Sequence, residues 1–99
     1  MDVIRFGEAA AALLDSLGER LSAHDQDWFR SYLSAGEEGL LADELATALN
    51  VDRTPISATE QELLRELLWS FDLDGTDPKF YPSLCDRDRI IADLNVTER

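Results

Sequence analysis

Apolar residues recur at three- and four-residue steps through most of the chain, a spacing that predicts helices rather than strands. Phe6, Ala10, Leu13, Leu14, Leu17 and Leu21 fall on one stripe of a helix of about five turns that ends near Ser22. His24 and Asp25 offer a polar start to a second, shorter helix. Trp28, Phe29, Tyr32 and Leu33 form its apolar side, and Ala35-Gly36 stops it. A third helix runs from Glu37 to Asn50, with Leu40, Leu41, Leu45 and Leu49 inward, small Ala42, Ala46 and Ala48 permitting close packing, and Asp43 and Glu44 directed outward. Ser57 followed by Glu60 reads as a capping box, in which side chains and backbone amides satisfy one another at a helix start. Leu63, Leu64, Leu67, Leu68 and Phe71 supply the stripe of the fourth helix that follows.

Turn chemistry interrupts this pattern at Asp72 to Pro82, DLDGTDPKFYP, where Asp-Gly, Asp-Pro and a closing proline demand a loop. Beyond it, Leu84, Arg87, Ile90, Ile91 and Leu94 return to helical spacing and predict a short fifth helix over Ser83 to Asn95, with a strand beginning at Ile90-Ile91 as the alternative. No repeat, linker or low-complexity stretch divides the chain. The expectation is a single all-α domain over residues 1–99, a small bundle of four to five short helices.

Charge changes the picture more than composition does. The chain carries 21 acids against 9 lysines and arginines, a net charge of -12, which repels nucleic acid phosphates and anionic membranes. The partners to expect are cationic, a basic protein surface above all. Residues 37–77 hold eleven of the acids against only Arg53 and Arg65, whereas residues 1–36 carry a net charge of -3 and residues 78–99 a net charge of zero. A device for solubility alone has no need of such concentration, and the skew points to a dedicated electronegative face. Glu37 and Glu38 have a structural use as well, because they sit in a first turn that the helix dipole makes favourable for anions. No apolar run reaches the roughly 20 residues that span a bilayer, and the N-terminus carries acids where a signal peptide carries positive charge. With one cysteine, Cys85, and so no intrachain disulfide, a cytoplasmic protein is expected.

Catalytic chemistry is sparse. His24 is the only histidine and Cys85 the only cysteine, too few nitrogen and sulfur ligands for a zinc site. Phosphate-loop, nucleophile-elbow and metalloprotease motifs are absent. Clustered carboxylates such as Asp72 and Asp74 leave an orphan enzyme as a third reading, without a substrate to name. Asp72, Asp74 and Gly75 fit three positions of a calcium loop, but Ser70 and Tyr81 then occupy positions one and twelve, so a solvated turn is the better reading. No metal or cofactor is expected. Trp28 reads as a core residue. Trp69 falls at the border of its stripe, near Glu62 and Glu66, where an amphipathic ring can anchor an interface.

The segments FRSYLSAGEEGLLADELATALN and PISATEQELLRELLWSF resemble the MafI-type immunity proteins found beside bacterial polymorphic toxins. The likeness lies in the Gly36-Glu37 junction, the Gly39-Leu40-Leu41-Ala42 run followed by Glu44-Leu45, and the Pro55-Ile56-Ser57 start of a Glu- and Leu-rich helix. It implies a protein that binds the cognate toxin C-terminal domain and blocks its active site or substrate groove. Many such toxins are nucleases with basic surfaces, which agrees with the charge. The anchors to expect are Trp69, Phe80 and Tyr81 beside Asp72, Asp74 and Asp77, with Asp43, Glu44, Glu62 and Glu66 completing the acidic face. The competing reading is an acidic helical adaptor or regulatory module without a toxin partner.

Overall fold

The computed structural model describes residues 3–97. Helices α1 (Val3–Leu17), α2 (Ala23–Ala35), α3 (Glu38–Val51), α4 (Ala58–Trp69), α5 (Pro82–Cys85) and α6 (Arg87–Asp93) make an all-α fold. The core follows the leucine spacing, with Leu13, Leu14 and Leu17 of α1, Leu41, Leu45 and Leu49 of α3, and Leu64, Leu67 and Leu68 of α4 sealed from solvent, while Leu40, expected inward, is only partly buried. Ala42 and Ala46 are buried with them, which lets α3 sit close against its neighbours. α1 packs most extensively on α4, and α3 lies among α2, α4, α5 and α6.

The helix boundaries follow local chemistry. α1 stops at Leu17, short of Ser22, because Gly18 takes a positive φ of 49° and the chain tightens into one 3₁₀ turn, Gly18–Arg20. Leu21 still reaches the core from beyond that turn. Ser22, not His24 or Asp25, caps α2, accepting the Asp25 amide at 3.0 Å. Gly36 ends α2 in the left-handed region at φ 74°, where a β-carbon would be strained. At α4 the capping box is present in full: Ser57 Oγ accepts from the Glu60 amide, and Glu60 Oε1 accepts from the Ser57 amide.

The tail folds as helix and not strand, although Asp86 divides it into α5 and α6. Its last residues do pair: Ile56 and Val96 form a parallel bridge, with the Ile56 amide donating to Asn95 O and the Thr97 amide to Ile56 O. Asn95 also donates its side-chain amide to Arg53 O at 2.9 Å. The C-terminal segment thus clasps the turn between α3 and α4. No helix among the described residues is long and apolar enough to cross a membrane.

Candidate interaction surface

The acids of the middle segment have different fates. Asp43 does not point outward; it is 4% exposed, and its Oδ1 accepts the buried Leu84 amide at 2.8 Å. Desolvation raises its pKa, and the backbone amides of Leu84 and Ser83 oppose that rise without cancelling it. Asp43 therefore joins α3 to α5 from a buried position and does not stand out into solvent. Glu60 is buried too, against Arg20, whose guanidinium donates to both its oxygens, and against the Ser16 hydroxyl. Burial alone would raise the Glu60 pKa, but the hydrogen bonds from Arg20, Ser16 and Ser57 and the Arg20 charge outweigh it and hold the carboxyl at about 2. On the exposed side of α4, Glu66 is bridged by Arg5 at 2.6 Å and Glu62 by Arg65 at 3.2 Å.

Seven acids of residues 37–77 are left: Glu37, Glu38, Glu44, Asp52, Asp72, Asp74 and Asp77, and among the described residues none forms an ion pair. The arginines, by contrast, are committed inside the molecule. Arg30 holds Asp15, Arg89 holds Asp86, Arg53 reaches Asp93 O, and Arg87 donates to the carbonyls of Leu68 and Phe71 at the end of α4. The uncompensated charge is thus negative and lies at the surface. Glu38 and Glu44 belong to α3, Glu37 and Asp52 flank its two ends, and the remaining three lie in the loop before α5.

That loop is held by its own acids. Asp72 Oδ1 accepts the Asp74 amide and Asp77 Oδ1 the Lys79 amide, each at 2.9 Å, and Gly75 turns the chain at φ 79°. Phe80 projects from it, 66% exposed. Tyr81 does not: it is half-buried against the core, and its ring lies where a β-carbon on Gly39 would come within 3.3 Å. The bare glycine lets Tyr81 seat on the first turn of α3. Trp69 is 38% exposed, with the Arg87 and Arg65 guanidiniums 4.7 and 5.5 Å from its ring centroid.

The tryptophan assigned to the core is the more open of the two. Trp28 is 50% exposed, while its neighbour Phe29 takes the buried position. Its indole N–H donates to Glu44 Oε1 at 3.4 Å, and the Tyr32 hydroxyl donates to Glu44 Oε2 at 3.0 Å. The Tyr32 ring meets Trp28 edge-on at 5.2 Å, and His24 stacks nearly parallel to it at 6.5 Å. Trp28, Glu44 and His24 border a groove of about 500 Å³ between α2 and α3. Phe29, Ala48, Val51 and Pro82 supply its apolar lining, and Asp25, Asp43, Glu44 and Asp52 its acids. Val51 is 70% exposed.

A second open groove, of about 550 Å³, lies between α1 and α2, and its polar lining is bonded internally: Gln26 donates to Leu14 O and Gly18 O, and Arg30 ties Gln26 to Asp15. Among the described residues, no group of three or more His, Cys, Asp or Glu side chains is placed to hold a metal ion. Compared with family models, with curated proteins and with solved structures, the chain gives no match in any of the three.

Proposed function

We propose that this chain is an immunity-type inhibitor, a cytoplasmic protein that binds and neutralises a cognate bacterial toxin domain, of nuclease type, by covering its basic substrate surface. The observation that carries this reading is the separation of charge. The described arginines are engaged internally, while seven mid-chain acids form no ion pair among the described residues. Such a surface lowers the approach energy of a basic protein and raises its association rate, toward roughly 10⁸ M⁻¹s⁻¹ at low salt. The resemblance of residues 29–71 to MafI-type proteins supports the same role. The test is co-expression with each neighbouring gene product: a toxic neighbour must be silenced and must co-purify with this chain in one-to-one ratio.

The open groove between α2 and α3 favours a second reading, an adaptor that seats a segment of a non-toxic partner. Under that reading a neighbour or another cellular protein binds, but expression of the partner alone leaves growth unimpaired.

A further inference from the structure

Two tryptophans reach the surface of this molecule, and their surroundings differ in one respect. Trp69 has guanidiniums of its own chain, Arg65 and Arg87, over its ring. Trp28 has none among the described residues; its neighbours are Glu44, Tyr32 and His24. An indole is the side-chain ring that attracts a cation most strongly, and a guanidinium is the cation best shaped to stack on it. Carboxylates beside the ring strengthen the same attraction. At Trp28 the ring, the carboxylates and an adjoining apolar lining are all present, and the cation is not.

We propose that the α2–α3 groove is a docking surface for a cationic segment of another protein, in which an arginine stacks on the exposed half of Trp28 and pairs with Glu44. An apolar residue beside that arginine covers Val51 and Ala48, and a further basic residue faces Asp52 or Asp25. The charge of the groove selects this occupant: four carboxylates line it, Asp25, Glu44, Asp52 and the buried Asp43, His24 is the sole basic side chain among the described lining residues, and none of the four carboxylates forms an ion pair among the described residues. Glu44 is already fixed by two donors from α2, Trp28 and Tyr32, so the ring and the anion are held together before the partner arrives. Such preorganisation spares the ordering cost of binding. The inference deepens the basic-partner reading above by naming the face and the residue chemistry that it takes.

The experiment is a titration of the full chain, ¹⁵N-labelled, with a capped peptide of alternating arginine and leucine, and with a counterpart carrying glutamine for arginine. The proposal expects the Trp28 indole signal and the backbone signals of residues 24–32 and 44–52 to move with the arginine peptide only, while the Trp69 indole stays in place. Trp28→Ala, checked for retained signal dispersion, must weaken the interaction about tenfold, and Glu44→Gln must weaken it several-fold. Changes centred on Trp69 or residues 72–80, changes spread evenly over the acids and insensitive to Trp28→Ala, or no change at all would each overturn it. Because the peptide needs no knowledge of the natural partner, a harmless neighbouring gene product would defeat the toxin reading and leave this result standing; the converse also holds.

Discussion

Trp28 donates its indole N–H to Glu44 across the α2–α3 groove, which makes a half-exposed aromatic ring and an anion with no cationic partner among the described residues into one unit. A ring in that position contributes little to the core. Trp28→Ala is expected to cost less than about 1 kcal/mol of stability, because the indole is half in water already. Phe29→Ala, one residue on, removes a buried ring and is expected to cost about 3–5 kcal/mol. Denaturant unfolding of the two variants checks the contrast.

Glu60 makes stability depend on acid pH. Its folded pKa of about 2 lies below the ordinary 4.5, so its contribution is complete above about pH 4.5 and is lost as the pH falls toward 2. Glu60→Gln should flatten that limb of the stability curve. Arg20→Ala leaves the carboxylate buried without its cation and is expected to cost about 2–4 kcal/mol near neutral pH, moderated because Arg20 is itself partly exposed. Urea midpoints measured between acid and neutral pH read both effects.

Asp43 has the opposite sign. Burial raises its folded pKa, so at neutral pH its charge opposes folding, and acidification through the raised value favours the folded state. Asp43→Asn removes the charge and keeps an oxygen for the Leu84 amide, whereas Asp43→Ala leaves that amide buried and unpaired. The alanine variant should be the less stable of the two, by about 1–3 kcal/mol, in thermal or denaturant unfolding.

Neutralising the groove should act on the rate of encounter. With a basic protein partner, Glu44→Gln combined with Asp52→Asn is expected to slow association about tenfold at low salt, and the difference should shrink as salt screens the wild-type surface. Stopped-flow measurements at several ionic strengths give the slopes.

The fold was legible where its signals were local. Phe6, Leu13, Leu41, Leu64 and their helical repeats define the buried stripes, and Ser57 with Glu60 marks the start of α4 within four residues of sequence. Three residues of the candidate site were not legible, for different reasons. Trp28 and Phe29 are adjacent on a helix, so about 100° of rotation separates them, and only the packing of α2 against α3 decides which is buried. Asp43 reads as outward because its partner, the Leu84 amide, lies 41 residues away and arrives only when the loop before α5 has turned the chain back. Tyr81 likewise reads as an open anchor until α5 brings it onto Gly39. An Asp inside a stripe bounded by alanines, as at Asp43 between Ala42 and Ala46, is the signal that could have marked a buried acceptor.

The most direct test of the central claim is growth of cells expressing each neighbouring gene product alone and together with this chain, followed by purification of the complex. The account predicts a neighbour that arrests growth alone, is harmless with this chain present, and co-purifies with it in equal amounts at low salt. Neighbours that neither arrest growth nor bind would contradict it.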